Sequence, residues 1–270
     1  MNTVISKDGT KIAYDKAGQG QALILVAGAF SYRKFPGQVQ LASLLSEHFT
    51  VYNYDRRGRG DSGDALPYAI AREIEDLQAM MNEAGGSAYV YGLSSGAVLA
   101  LQAAASGVNM TKLVLHEPPF VVDTAGHMPP AHFTKRVTEL IADNRRADAI
   151  NYFMTKGMGA PSFVVGLMRL MPGVWPRLMA VAHTLPYDAA LLDGYNEGKP
   201  LPSQLWSGVT MPALVLEGTE SPISLRHGAQ SLVEVLPNAQ LLSRKGLGHT
   251  KKLDANRISK ELLSFFIGKH

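Results

Sequence analysis

Residues 88–107 read AYVYGLSSGAVLALQAAASG and pass from an apolar strand to a small-residue helix through one short turn. The turn is Gly92-Leu93-Ser94-Ser95-Gly96, a G-x-S-x-G pattern. A sharp strand-to-helix turn lifts a serine hydroxyl above the sheet edge. It needs glycine on both sides, because a side chain there would strike the adjacent strand or helix. The same turn sets Ser94 at a helix N-terminus, where free backbone N–H groups favour a developing negative charge. As five letters the pattern is common, and a plain capping serine would match it. The strand before and the helix after make Ser94 a nucleophile candidate, with the Ser95 side chain expected to point away from the site.

The rest of the chain alternates in the same manner. ALILVAGA (22–29) is a short, fully apolar run, the profile of a strand buried on both faces. FTVYNYDRRG (49–58), KLVLHEPP (112–119), MPALVLEG (211–218) and AQLLSRKG (239–246) read as further strands. Helical spacing marks residues 35–49, 67–86 and 255–268, and an N-terminal hairpin turns at Lys7-Asp8-Gly9. Strands and helices in this order predict a mainly parallel sheet covered on both faces. From about Phe120 to Trp206 the alternation stops. That interval holds helical patterns, many prolines and a methionine- and aromatic-rich composition (Met154, Met158, Met168, Met171, Met179, Trp175), read as packing. It is expected to be a helical insertion, so the core is 1–119 with 207–270 and the cap is 120–206.

Composition limits what such a chain does. It has 270 residues, 46% of them hydrophobic, enough for one large α/β core. Net charge is only +3, and the densest basic cluster, YDRRGRGD (54–61), is interrupted by Asp55, Asp61 and glycine. No continuous basic face for nucleic acid is expected. The spacing of that cluster fits neither a dinucleotide fingerprint nor a phosphate loop, which leaves a glycine-dependent turn pinned by Asp55 and arginine contacts. The absence of cysteine removes disulfides, thiolate zinc sites and a cysteine nucleophile. No His/Asp/Glu cluster has metal-ligand spacing, so neither metal nor cofactor is expected. The first residues lack a signal-peptide pattern and no apolar run reaches the length of a membrane span. The expectation is a soluble cytoplasmic protein without a membrane partner, a monomer or a homodimer.

With the turn at Ser94 in place, the sequence resembles the α/β-hydrolase superfamily over nearly its whole length. LILVAGA resembles the strand ending in that family's oxyanion loop, YDRRGRGDSG (54–63) its D-x-R-G-x-G-x-S turn, GLSSG its nucleophile elbow, and GLGHTKKLD (246–254) its late Gly-His segment. The resemblance implies the α/β-hydrolase fold: an eight-stranded sheet flanked by helices, with a helical cap after the sixth strand. It also implies Ser94 as nucleophile and His249 as base. His249 has its own support, since it follows Gly246 and Gly248 in a turn after a strand, where an imidazole can reach the sheet edge and exchange the serine proton. Where the family often reads His-Gly, this chain reads Ala27-Gly28-Ala29. By resemblance the oxyanion donors are the backbone N–H groups of Ala29 and Ser95. Phe30 and Tyr32, directly after that loop, are expected to line the pocket, and Ser31 or Tyr32 could add a donor. His48, His127, His132, His227 and His270 are read as surface or cap residues, and His116 as structural.

A base histidine needs a carboxylate on its other nitrogen. In most of the superfamily that acid follows the seventh strand, where this chain has Ser221, with Glu217 and Glu220 nearby. The other known place is the end of the sixth strand, where Glu117 closes an apolar run before Pro118 and Pro119. A carboxylate there must find partners or shift its pKa upward, and haloalkane dehalogenases that take their acid from this strand use a comparable glutamate. Glu117 is the preferred acid, with Glu220, or no acid at all, as alternatives. VAHTLPYD (181–188) could bring His183, Tyr187 or Asp188 over the pocket, against the plainer reading of cap packing. The resulting expectation is a cofactor-free serine hydrolase acting on a small, apolar ester, thioester or lactone. A perhydrolase or C–C bond hydrolase with the same residues, or a ligand-binding protein without activity, are the alternatives.

Overall fold

The apolar runs come together as the middle of one sheet. A computed structural model describes residues 1–249 and 253–268, so His270 and residues 250–252 of the Gly-His segment lie outside the described residues. The strands are β1 (Asn2–Ile5), β2 (Lys11–Ala17), β3 (Ala22–Val26), β4 (Thr50–Tyr54), β5 (Ala88–Leu93), β6 (Met110–His116), β7 (Ala213–Gly218) and β8 (Ala239–Arg244). They form an eight-stranded sheet in the order β1-β2-β4-β3-β5-β6-β7-β8. Only β2 runs against the rest, antiparallel to β1 and to β4, while β3 to β8 are parallel. Parallel strands buried on both faces carry continuous apolar runs, and Leu23, Ile24 and Leu25 of β3 and Leu113, Val114 and Leu115 of β6 have no solvent exposure.

In chain order the helices are α1 (Pro36–Leu45), α2 (Ile70–Glu83), α3 (Ser95–Ala105), α4 (Phe133–Ala142), α5 (Arg146–Tyr152), α6 (Ser162–Leu170), α7 (Val174–Val181), α8 (Leu185–Leu191), α9 (Ile223–Val235) and α10 (Ala255–Ile267). One face of the sheet packs on α2, α3 and α9, through residues such as Met80, Leu99 and Leu232. The other packs on α1 and α10, through Leu41, Leu45, Ile258, Leu262 and Phe266. Each fully buried side chain of this size contributes about 1.5–3 kcal/mol, so the two layers fix the sheet from both sides.

Between β6 and β7 the described chain is helical, from α4 to α8, with a π turn at Phe153–Gly157 after α5. These helices have a core of their own, built from Phe133, Val137, Leu140, Ile150, Phe153, Val165 and Leu185, and Phe30 from the sheet side joins it. Met158 and Met171, expected as packing, are instead 49% and 46% exposed. Among the described residues, no single helix is long and apolar enough to cross a membrane.

The register brings four strand ends level. Val26 pairs with Gly92, Leu93 with His116, and His116 with Leu216. Everything that follows those ends therefore collects along one edge, the carboxyl edge at which open α/β sheets hold their ligands.

Candidate active site

Ser94 stands between β5 and α3 with φ 54° and ψ −125°, outside the regions open to most side chains. The flanking glycines make that turn possible. A Cβ on Gly92 would lie 2.6 Å from Ala97 Cα, and one on Gly96 would lie 2.4 Å from the Val26 carbonyl oxygen. The Ser94 N–H bonds the His116 carbonyl at 2.9 Å, which ties the turn to the end of β6. Ser95 is the first residue of α3, where a helix has no intrahelical partner for its N–H. Its side chain is buried, and its hydroxyl donates to Asp188 Oδ1 at 2.7 Å.

Glu117 follows β6 directly and has no solvent exposure. Its Oε1 accepts from the Gly218 N–H at 2.9 Å. Its Oε2 accepts from the His249 N–H at 3.1 Å and lies 2.5 Å from His249 Nδ1. Burial pushes this carboxyl up, but the bond and charge of His249, with Ser221 close by, outweigh it and hold Glu117 at about 2. A residue before proline prefers extended backbone, yet Glu117 has φ 46°. Phe30 (φ 61°), Ser94 and Glu117 are three of the five non-glycine residues with positive φ in the described chain. Each such position costs about 1–3 kcal/mol and is kept only where its surroundings impose it.

The other acid candidates are placed elsewhere. Glu220 is exposed and pairs with Lys245 at 3.5 Å. Glu217 is buried but lies against Gln230 on α9, at 3.2 Å. Ser221 is buried with its hydroxyl beside Gly248 and the Glu117 carboxylate, so the position with which the common acid would coincide adjoins the one that is filled.

His116 is fully buried one residue before Glu117. Its Nε2 lies 2.6 Å from the Leu247 carbonyl, which only accepts, so Nε2 carries the proton. Nδ1 then accepts from the Tyr91 hydroxyl at 2.7 Å. Burial, reinforced by the neighbouring His249, pushes His116 down to about 4. It stays neutral and holds the loop that carries His249 against β5 and β6.

The arginines of the 54–63 turn are all buried and paired, in keeping with a structural turn and without a free basic face. Asp55 accepts from the Arg33 and Asp61 N–H groups at 2.7 and 2.9 Å. Arg57 is bidentate on Asp76 at 2.7 Å, and Arg56 is bidentate on Glu73 at 2.7 Å. Arg56 also reaches Asp188 Oδ1 at 2.7 Å, and Arg59 reaches Asp188 Oδ2 at 2.6 Å. Burial pushes Asp188 up, but Arg59, Arg56 and Ser95 prevail and keep it below the usual carboxylate range. Residues Ala27 to Ser31 follow β3, and Arg59 Nη1 holds this loop through the carbonyls of Gly28 (2.7 Å) and Ser31 (3.3 Å).

Ser94 and His249 line one cavity between the sheet edge and the helical segment, with Ala29 and Phe30 also in its wall. The remaining wall is mostly apolar, from Phe120, Val121, Phe133, Phe153, Met158 and Leu225, with polar Asn196 and His127. Of the pocket candidates, Tyr32 and His183 lie outside this wall, His183 in keeping with the plainer reading of cap packing. Tyr32 is half-buried and packs edge-to-face on Phe35, ring centres 6.3 Å apart. His183 sits in a 3₁₀ turn (Ala182–Thr184) packed over the Gly58–Arg59 turn, where burial lowers its pKa. Conversely, His127 and Met158, read as surface or packing residues, do contribute to the wall. No periodic signal in a proline-rich, irregular segment marks such residues. Among the described residues, no group of three or more His, Asp or Glu is arranged to hold a metal ion.

The model of the alpha/beta hydrolase family matches residues 23–253. An alpha/beta hydrolase from Sphaerobacter thermophilus is similar over 98% of this chain and 100% of that one, at 45% identity and a TM-score of 0.90. An esterase from a Rhodococcus species is similar over 98% and 97% of the two chains, at 20% identity and TM-score 0.69. The enol-lactonase of Burkholderia xenovorans is similar over 98% and 99%, at 18% identity and TM-score 0.69. The chain belongs to the alpha/beta hydrolase family. It is an enzyme of that fold, a hydrolase built on an eight-stranded, mostly parallel sheet.

Proposed function

We propose that this enzyme is a serine hydrolase that cleaves a small ester, thioester or lactone with an apolar acyl or alcohol part. The observation that carries the reading is the 2.5 Å contact between His249 Nδ1 and the buried, ionised Glu117, next to a serine held in an elbow on the same cavity wall. Glu117 fixes the His249 ring with Nδ1 protonated, so Nε2 is left to take the Ser94 proton. Ser94 attacks the carbonyl carbon, and the oxyanion rests on the Ala29 and Ser95 N–H groups. His249 then protonates the leaving group, and water activated by the same nitrogen releases the acyl chain from Ser94. The helical segment 120–206 acts as a cap that closes the apolar side of the cavity. The phenylalanines of that wall support an apolar substrate, and the esterase and lactonase among the similar structures make esters and lactones the first substrates to assay.

Covalent labelling with a fluorophosphonate tests this reading. The intact protein should label at one site and Ser94→Ala should not. An unlabelled wild-type protein, or equal labelling of Ser94→Ala, sinks the proposal and favours a binding protein. A labelled enzyme that turns over no ester but forms peracid or splits a diketone moves the reading to perhydrolase or C–C hydrolase.

A further inference from the structure

Asp188 lies on α8, in the helical segment, yet its carboxylate is bound to groups of the sheet edge. It has no solvent exposure, and Ser95, Arg56 and Arg59 around it are exposed by 2% or less. Oδ1 accepts from Ser95 Oγ and Arg56 Nη1, both at 2.7 Å, and Oδ2 from Arg59 Nη2 at 2.6 Å. Arg59 passes the connection on: its Nη1 holds the Gly28 carbonyl at 2.7 Å, and its Nε bonds Thr184 at 3.0 Å. The Gly28 carbonyl and the Ala29 N–H belong to one planar trans peptide and point in opposite directions. Fixing one therefore aims the other. Ser95, the second donor residue, is tied to the same carboxylate by its own hydroxyl.

We infer that Asp188 is the positioning residue of the oxyanion hole, tying the Ala29 and Ser95 donors to a single carboxylate supplied by the helical segment. The inference rests on the serine-hydrolase reading above. It explains how the loop Ala27-Gly28-Ala29, which has alanine where the family often has histidine, is held: the brace comes from α8 through Arg59. Preorganised donors matter most when charge has developed on the substrate oxygen, so a loosened hole lowers kcat and leaves ground-state binding largely intact.

The test compares Asp188→Asn, Ser95→Ala and Asp76→Asn with wild type, with activity expressed per site titrated by fluorophosphonate. In Asp188→Asn the amide replaces one acceptor oxygen by a donor that faces a guanidinium. Its kcat should fall about 10- to 100-fold with KM within about threefold, and a boronic acid that mimics the tetrahedral adduct should bind weaker by a similar factor. Ser95→Ala keeps the backbone donor and loses only the tie, so kcat should fall about 3- to 10-fold with KM unchanged. Asp76→Asn removes an equally buried arginine partner that does not touch the loop. It should lower the melting temperature and leave kcat per site within about twofold of wild type. If both Asp188→Asn and Ser95→Ala keep kcat per site, or raise KM instead, the inference is wrong. Should Asp188→Asn not fold, Ser95→Ala decides alone. A wild-type protein that neither labels nor turns over overturns the hydrolase reading and this inference with it, whereas an active wild type with unaffected variants overturns only the latter.

Discussion

A carboxylate without solvent keeps its charge only where neighbouring donors replace water, and Glu117 has them on both oxygens: Gly218 N–H on one, the two N–H groups of His249 on the other. Replacing it by glutamine leaves the shape and removes the charge that stabilises a protonated imidazole. Glu117→Gln should therefore lower kcat on the order of 10³–10⁴-fold on a reporter ester, as replacing a triad carboxylate does. Glu220→Gln, exposed and paired only with Lys245, should leave kcat unchanged. Equal losses in the two variants would refute the assignment. That Ser94, Glu117 and His249 gather at one sheet edge was foreshadowed by a glutamate closing an apolar strand and by two short glycine-marked turns, whereas the choice of Glu117 over Glu220 stayed open until the fold placed Glu220 at the surface. Tyr32, and the lesser reading of His183 as a pocket residue, failed for the opposite reason. Their positions depend on how a loop and a 3₁₀ turn pack, which no local pattern encodes.

The strands and the loops at their ends are held together by buried polar ties as well as by the apolar layers. His116, the last residue of β6, links Tyr91 of β5 to the Leu247 carbonyl of the loop carrying His249. Its pKa is about 4 in the folded protein against 6.5 for the free side chain. Between those values the unfolded chain binds a proton that the folded chain does not. The contribution of His116 is thus complete above pH 6.5 and is lost as the pH falls toward 4, a change of roughly 3 kcal/mol. Glu117 acts below that window, since its stabilisation is complete above about 4.5 and is lost toward 2. Urea unfolding at a series of pH values from 7.5 to 4.5 should show this decline, and His116→Gln should flatten it while losing stability at neutral pH. An unchanged slope in the variant would contradict the account. At this level the sheet was legible, since buried parallel strands leave continuous apolar runs. The partners of the arginines were not. Asp188 and Arg59 are far apart in the chain, and only the folded α8 brings them together.

The molecule encloses its cavity between two parts of different construction, a layered sheet and a helical segment with a separate core. Phe133 belongs both to that separate core and to the cavity wall, which makes it the residue at which to test whether this wall sets an acyl-length limit. Phe133→Leu should move the optimum in a series of ester acyl lengths to longer chains, measured as kcat/KM, and cost about 1 kcal/mol in stability. A profile that does not move would mean that another wall sets the limit. The break in alternation after Phe120 made this segment recognisable, but its lining residues came only with its packing. Its attachment has a consequence for how such enzymes diversify. A segment with its own core can be exchanged between relatives as a block, which would make new specificities easy to reach by recombination. Here the block also carries a charge that two arginines of the recipient sheet expect to find. A chimera that imports a foreign segment without an acid at the α8 position leaves Arg59 with no carboxylate partner and Arg56 with Glu73 alone. On the positioning role proposed for Asp188, selection on what the enzyme accepts is coupled, through one side chain, to how well it works.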